Sequence, residues 1–492
     1  MRKISGVITE YVAAFDAGTT ALKGALVNGQ GCIVASASSE LDLIINGDYR
    51  EQSPDQWWQA FCSASRHMIE QARQSESEFN VTRIRGIIFS GQMQDVMNGE
   101  LNPVRNAILY SDGRAEEQAK QLAETYQGGA ERFLNTVGNR LEGCLPLPKL
   151  MWLREHEPET YARIRHVLIS SKDYLIAQLT GECVGDVAAC STAGAMNIRN
   201  GQWDAELCEV AEIDMTILPH LHNPQDNIGT VTESAAQRTG FSAGTAVYAG
   251  IGDAGATTLA SGVSHPGQYN INIGTSGWIA TVSPEPFTDK PGAANLAFGV
   301  EEGFVNAVPF LNAGDVHKWV TGVFADGDYA EAHQLIETSK PGSNGVLCLP
   351  YLVGERFPVM NPNIRGAYVG LDPDTTKADM MRAALEGVAF SIRQGMESFD
   401  AKPTEISLIG GGARENAWCQ ILADVLEHPI EVFANADILP AVAMASLVFN
   451  VPDLLQSVCE CTVYQPNPDT ARTYADAYRR FLSLYPMLRT MD

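Results

Sequence analysis

The stretch YVAAFDAGTTALKGALVN, residues 11–28, decides the fold. Two apolar runs, 11–15 and 22–27, flank the turn Asp16-Ala17-Gly18-Thr19-Thr20, and this pattern predicts a β-hairpin. Glycine lets the backbone approach a ligand closely, and the threonine hydroxyls and exposed N–H groups can donate to phosphate oxygens. Asp16 adds a carboxylate for Mg²⁺. On its own, the turn fits a phosphate-binding loop and an ordinary hairpin about equally well.

The pattern recurs in the second half of the chain, where residues 268–283 read QYNINIGTSGWIATVS. The turn Gly274-Thr275-Ser276 again lies between two strand patterns. Further along, a strand pattern at 405–409 precedes the turn Gly410-Gly411-Gly412 and a helix pattern at 415–426. Such repetition of a supersecondary unit indicates an internal duplication.

Length and composition restrict the class of protein. A chain of 492 residues suits two domains, which we predict to span 1–255 and 256–492. The 34 basic and 59 acidic residues give a net charge of −25, which repels nucleic acid and anionic membranes. The sequence has no apolar run of membrane-span or signal-peptide length. We therefore expect a cytoplasmic protein that binds neither nucleic acid nor membrane, with a homodimer as one candidate assembly.

Polar residues follow several predicted strands of the first half. Strand patterns at 84–90 and 107–110 lead into Gly91-Gln92-Met93-Gln94 and Ser111-Asp112-Gly113-Arg114. A third, at 245–251, leads into a predicted tight turn at 252–255 that contains Asp253. Ligands of α/β folds bind at the carboxyl ends of strands, so these residues are candidates for a common site.

Ser53-Pro54-Asp55-Gln56 predicts the start of a helix that runs to about residue 73. Serine suits the N-cap, proline suits the first helical position, and glutamine three residues after the serine would complete a capping box. Trp57 and Trp58 lie in this helix, and we expect them to pack in the core rather than to bind substrate.

Two longer motifs are much more specific than the glycine turns. They are PLPKLMWLREH at 146–156 and GAYVGLDPDTTKADMMRAALE at 366–386. Together with GQMQ, DGR, LPYLVGER and LIGGGAR, they resemble the FGGY carbohydrate kinase family, and within it the xylulose kinases, from about residue 11 to 485. The resemblance implies two ribonuclease-H-like α/β domains of the actin, hexokinase and Hsp70 superfamily, with a central cleft.

The resemblance also implies roles for individual residues. Asp253 would be the general base, and Asp16 and Asp253 would hold Mg²⁺. The sugar would contact Gln92, Met93, Gln94, Asp112 and Asp253. ATP would contact both phosphate loops and the later glycine turn, through Gly18, Thr19, Thr20, Gly274, Thr275, Ser276, Gly410, Gly411, Gly412 and Asn416.

Structural alternatives remain for several of these residues. Asp253 could cap the following helix, a glycine of the 410–412 turn could serve helix packing, and Asn416 fits a surface helix start equally well. Lys149 and Trp152 lie in the first family motif, where their spacing fits a structural or hinge role.

The chain departs from the xylulose-kinase pattern beside the predicted base. Gln94 stands where histidine is familiar, and Ala254-Gly255 replaces the usual asparagine-alanine. An amide can still bond to hydroxyl groups. D-xylulose is thus the first substrate that we predict, with another ketose, a sugar acid or an alditol as alternatives. A non-catalytic, nucleotide-gated regulator is the alternative from a different class, but it would have no need of a base at Asp253.

Overall fold

The fold is a two-domain α/β structure, seen in a computed structural model that describes residues 9–98, 102–290, 292–434, 439–452, 454–455 and 460–489. Across these residues, no helix combines the length and the apolar character needed to cross a membrane.

The first half of the chain alternates short strands and helices. Its strands are β1 (Tyr11–Ala17), β2 (Ala21–Asn28), β3 (Ile33–Glu40), β4 (Ile44–Asn46), β5 (Tyr49–Gln52), β6 (Ile84–Gly91), β7 (Met97–Asn98), β8 (Ala107–Ile108), β9 (Val167–Leu168), β10 (Val184–Asp186), β11 (Met196–Asn197), β12 (Gln202–Trp203), β13 (His220–His222), β14 (Asn227–Thr230), β15 (Ala246–Tyr248) and β16 (Ile251–Gly252). Its helices are α1 (Pro54–Ser75), α2 (Glu116–Thr125), α3 (Gly129–Val137), α4 (Pro146–His156), α5 (Pro158–Tyr161), α6 (Ser171–Thr180), α7 (Val187–Cys190), α8 (Ala205–Val210), α9 (Glu233–Thr239) and α10 (Asp253–Ala260).

The second half has longer helices. Its strands are β17 (Gln268–Ile273), β18 (Gly277–Ser283), β19 (Ala294–Ala297), β20 (Phe304–Phe310), β21 (Leu347–Leu349), β22 (Ala367–Val369), β23 (Glu405–Ile409), β24 (Ile430–Phe433) and β25 (Cys461–Tyr464). Its helices are α11 (Gly314–Phe324), α12 (Tyr329–Thr338), α13 (Lys377–Met396), α14 (Asn416–Leu426), α15 (Leu439–Phe449) and α16 (Ala471–Leu488). Short 3₁₀ turns lie at Val81–Arg83, Met215–Ile217, Ser343–Gly345 and Gly411–Arg414.

The two large sheets have the same internal plan. In the first, the order is β14-β15-β6-β1-β2-β3, with β16 also paired to β6. In the second, the order is β19-β20-β18-β17-β23-β24-β25. The first sheet contains the antiparallel hairpin β1–β2, and β1 also pairs in parallel with the later strand β6. The second sheet contains the antiparallel hairpin β17–β18, and β17 also pairs in parallel with the later strand β23. The duplication predicted from the two glycine-threonine turns is thus present in the strand order.

Each domain has its own apolar core, and another apolar cluster contains residues of both halves. The interdomain cluster combines Val12 and Ile88 of the first sheet with Val282 and Phe298 of the second half, and helix α15 contributes Met444. All five side chains are almost fully buried. The two halves are therefore packed together by apolar side chains as well as connected by the chain.

The structure corrects two local predictions. The predicted tight turn at 252–255 is the first turn of α10, which begins at Asp253 itself. The capping box at Ser53 is absent, because the Ser53 side chain makes no cap bond and Gln56 instead donates to Asp42 at 2.7 Å. Trp57 and Trp58 lie on α1 and are buried in the apolar core of the first half, which agrees with their expected packing role.

Candidate active site

Three adjacent strands bring together the predicted base, Asp253, and the other predicted metal ligand, Asp16. In the register of the first sheet, Asp16 of β1 lies beside Ser90 of β6, and Ser90 lies beside Ile251 of β16. Asp253 follows β16 by one residue and opens α10. Two aspartates that are 237 residues apart in sequence therefore meet at the carboxyl edge of one sheet, where α/β folds bind ligands.

Asp253 has the electrostatic environment of a base. Burial and the negative charge of Asp16 raise the pKa of Asp253 to about 7, although its carboxylate accepts a hydrogen bond from the Ala254 N–H at 2.8 Å. A carboxyl group with a pKa near neutrality transfers protons efficiently in both directions at physiological pH. The bond to Ala254 holds the carboxylate at the start of α10, so the capping and base interpretations describe one geometry.

Asp16 is the second charged group of this edge. It accepts a hydrogen bond from the Ser90 hydroxyl at 2.9 Å, and burial nevertheless raises its pKa. Within the residues that the structure describes, no group of three or more His, Cys, Asp and Glu side chains is arranged as a metal site. Two carboxylates still fit Mg²⁺, because this ion keeps several waters and takes phosphate oxygens as ligands. A divalent cation would also relieve the repulsion between Asp16 and Asp253.

The first phosphate loop is held in place by a chain of buried amides. The Thr19 hydroxyl donates to Gln92 Oε1 at 2.8 Å, and Gln92 Nε2 donates to Gln52 Oε1 at 2.9 Å. Gln52 in turn donates to the Thr19 carbonyl at 2.7 Å and accepts from the indole of Trp57 at 3.1 Å. Gln92 is 1% exposed, so its side chain connects the loop to the core, while Thr20 is exposed at the tip.

The second phosphate loop opens onto a large cavity. Gly274 and Thr275 line a space of about 830 Å³ that also reaches Gly411, Gly412 and Asn416. Helix α11 begins directly behind this loop, since the N–H of Gly314 donates to the Gly274 carbonyl at 2.9 Å. Ser276 is exposed and does not line the cavity. The volume is that of a pocket for a nucleotide-sized ligand.

The three glycines after β23 differ in what they do. Gly410 has φ of +92°, a conformation that favours glycine, and a side chain at Gly412 would strike Ile273 at 2.4 Å. At Gly411, the nearest atom to an added Cβ is the Ile273 carbonyl oxygen at 3.9 Å. Gly410 and Gly412 are thus required by the backbone and by packing, and Gly411 is the one that presents open backbone to the cavity.

The side chain of Asn416, at the first turn of α14, is already in contact with the last strand. Its Oδ1 accepts a hydrogen bond from the Tyr464 hydroxyl at 2.8 Å. Asn416 therefore lines the cavity from a fixed position, and its contact with a nucleotide remains a prediction.

Met93 packs against the residue that precedes the predicted base. An added Cβ at Gly252 would lie 2.1 Å from Met93 Sδ and 2.6 Å from its Cγ. Only glycine at 252 allows this approach. The predicted sugar segment and the start of α10 are therefore in direct contact, and a shift of Met93 would be felt at Asp253.

Asp112 is engaged by protein groups. It is fully buried, and its two oxygens accept bonds from the backbone of Arg50 at 2.6 Å and from the Arg114 guanidinium at 2.7 and 2.9 Å. Burial raises the pKa of Asp112, but these hydrogen bonds outweigh it and lower the pKa overall. Arg114 also bonds to Glu51 at 2.7 Å and lies over the ring of Tyr49. Contact between Asp112 and a sugar stays a prediction.

Sequence reasoning missed several residues of this site. Gln52 and Tyr110 flank Thr19, and the Tyr110 hydroxyl lies 3.5 Å from the Thr19 hydroxyl oxygen. In the large cavity, Lys318 and Arg414 are cationic side chains of the lining. The exposure of Tyr110 at 43% is unusual for an aromatic residue that ends a core strand pattern. Its place just before Ser111-Asp112 could have drawn notice, but Gln52 carries no local signal.

Comparison with known proteins identifies the family. The model of the N-terminal domain of the FGGY family of carbohydrate kinases matches residues 11–260, and that of the C-terminal domain matches residues 269–445. The chain belongs to the FGGY family of carbohydrate kinases. This FGGY kinase is 31% identical to the xylulose kinase of Staphylococcus xylosus over 435 residues, which cover 85% of the chain and 86% of the relative.

Other similar proteins carry different names. The gluconokinase of Bacillus subtilis is 29% identical to this FGGY kinase, with 86% of the chain and 84% of the relative covered. Among solved structures, the xylulose kinase of Rhodospirillum rubrum superposes with a TM-score of 0.87 at 28% identity, covering 98% of this chain and 99% of the other. Family and fold are thus established, and relatives of comparable similarity act on different carbohydrates.

Proposed function

We propose that this FGGY kinase transfers the γ-phosphate of ATP to the terminal hydroxyl of D-xylulose. The observation that carries the proposal is the meeting of Asp16 and Asp253 at one sheet edge, with the pKa of Asp253 raised to about 7. In the reaction, Asp253 accepts the hydroxyl proton while the sugar oxygen bonds to the γ-phosphorus and ADP leaves. Phosphoryl transfer depends mainly on positioning and charge stabilisation, and this edge offers both.

Asp16, with Asp253, would hold Mg²⁺, which when bound offsets the charge of the phosphates. The backbone of the two loops, Gly18 to Thr20 and Gly274 to Ser276, would face the phosphates. The nucleoside would occupy the 830 Å³ cavity against Gly411 and Asn416. Lys318 and Arg414 line that cavity together with Asp315 and Glu415, so cations are present there but the four charges balance.

Charge around the predicted sugar segment favours a neutral acceptor over a sugar acid. Arg114 bonds to Asp112 and Glu51, and Lys149 bonds to two backbone carbonyls, so both cations are already engaged by the protein. Asp253 and Asp16 add negative charge to the same region. A carboxylate substrate such as gluconate would meet this charge, and neither of these two cations is free to pair with it, whereas a ketose offers only hydroxyl and carbonyl groups.

The proposal is tested by measuring ADP release from Mg-ATP with a panel of ketoses, alditols and sugar acids at equal concentrations. We expect the highest kcat/KM with D-xylulose, and a kcat/KM for D-gluconate that is lower by at least about 100-fold, which corresponds to roughly 2.7 kcal/mol of transition-state binding. Preference for D-gluconate or for an alditol would refute the substrate assignment while leaving the kinase activity in place. Absence of carbohydrate-dependent ADP release would refute the activity itself.

A further inference from the structure

Lys149 is a fully buried lysine of α4 that connects two segments of the predicted sugar site. Its ammonium donates to the Gln94 carbonyl at 2.8 Å and to the Leu109 carbonyl at 2.7 Å. Gln94 belongs to the segment that leaves β6, and Leu109 precedes the segment that carries Asp112. One side chain from a third element thus links the backbones of both segments.

The backbone that Lys149 holds is unusual. Gln94 has φ of +61°, a left-handed conformation that costs free energy for a residue with a side chain. The neighbouring Asp95 strengthens the same turn, because its N–H donates to the Ile169 carbonyl at 3.0 Å and its carboxylate accepts from the Tyr110 N–H at 3.2 Å. The left-handed turn is therefore held by surrounding groups rather than by its own preference.

Burying Lys149 and Asp95 is costly. Burial lowers the pKa of Lys149 to about 8 and raises that of Asp95 well above its usual value. One carboxylate oxygen of Asp95, Oδ2, has no hydrogen-bond partner among the described residues. A buried polar atom without a partner destabilises a fold, because it has lost its hydrogen bonds to water and gained none in return. Two apolar residues would fill the space at lower cost, so the presence of Lys149 and Asp95 indicates a role beyond packing.

We propose that Lys149 is a positioning residue that sets the affinity for the sugar by fixing the Gln94 turn against the Leu109 segment. The inference rests on the proposed function in one respect, namely that the segment Gln92–Gln94 contacts the carbohydrate. Within the described residues, the Lys149 ammonium donates to Gln94 and Leu109 and not to the predicted phosphate loops, so we expect the affinity for ATP not to depend on it.

The test compares two substitutions on the same helix. Lys149→Met removes the link to the sugar segments. Arg154→Met is the matched control, because Arg154 also donates to two backbone carbonyls, those of Ala211 at 2.7 Å and Glu212 at 2.8 Å, but on a part of the chain outside the sugar segments. Steady-state kinetics are measured for both substrates, and thermal unfolding reports stability.

We expect Lys149→Met to raise the KM for the sugar at least tenfold while the KM for ATP changes less than twofold. Arg154→Met should lower the unfolding temperature without changing either KM. A proportional rise of both KM values in Lys149→Met, or an equal rise of the sugar KM in Arg154→Met, would show a merely structural role and overturn the inference.

A second variant covers the case in which Lys149→Met does not fold. In Lys149→Ala, added propylamine should restore the sugar KM, and propanol, which is similar in size but uncharged, should not. Failure of the amine to restore sugar affinity to folded Lys149→Ala would count against the inference. The wild-type substrate panel tests the proposed function separately. The KM for the sugar and the KM for ATP are then measured in each variant with whichever carbohydrate the wild-type enzyme phosphorylates.

Discussion

Asp253 lies beside a second carboxylate, and the repulsion between the two carboxylates disfavours its charged form. Its position at the start of α10, where the Ala254 N–H donates to it, offsets part of this cost. For catalysis, we expect Asp253→Asn to lower kcat by on the order of 100- to 10,000-fold, because the amide cannot accept the hydroxyl proton. Nucleotide affinity, measured by calorimetry, should stay within a few-fold. The exposed Asp476→Asn serves as the control, and retention of turnover in Asp253→Asn would remove Asp253 from the role of base.

The same residue should destabilise the metal-free protein at neutral pH. Its pKa is raised in the folded state from 3.8 to about 7, so between these values the folded state binds more protons than the unfolded state, and stability falls as pH rises. We expect metal-free Asp253→Asn to be more stable than the wild type by about 1–2 kcal/mol at pH 8, and of equal stability near pH 4. Denaturant titrations at the two pH values measure the difference, and a constant difference would contradict the shift.

At the scale of elements, the junction between β16 and α10 is tightly packed. Gly252→Ala would place a methyl group against the Met93 thioether, which must move aside. We expect a loss of about 1–3 kcal/mol of stability and a several-fold rise of the sugar KM, with the KM for ATP unchanged. Gly322→Ala in α11 is the matched control, because an added Cβ there has no atom within 4 Å. Unchanged sugar kinetics in Gly252→Ala would show that the position of Met93 does not affect sugar binding.

The elements also show which parts of the structure a sequence can predict. Strands β17 and β23 match their predicted limits, because alternation and flanking glycines are local signals. The contact of Thr19 with Gln92 joins residues 73 positions apart, and that of Lys149 with Gln94 spans 55 positions. Such contacts depend on sheet order and side-chain direction, which no local pattern records. The strands that flank the glycine turns were therefore predictable, but the groups that hold the turns were not.

For the whole molecule, the interdomain apolar cluster limits how independently the halves can behave. Phe298 is fully buried in it, between residues of both sheets. We expect Phe298→Ala to lower the free energy of unfolding by about 3–5 kcal/mol. Calorimetry should show one cooperative transition for the wild type, because this cluster couples the two cores. Two separated transitions in the wild-type protein would show that the coupling is weak.

The amide chain that begins at Trp57 has a thermodynamic consequence. Gln92 belongs to the predicted sugar segment, yet its side chain is bonded to Thr19 of the first phosphate loop. Any shift that a bound carbohydrate causes at Gln92 would thus reach Thr19, in the loop that is predicted to face ATP. Linkage requires the effect to be mutual, so sugar should change the dissociation constant of ATP by the same factor by which ATP changes that of the sugar. The binding of the two substrates would then be coupled before the phosphate is transferred.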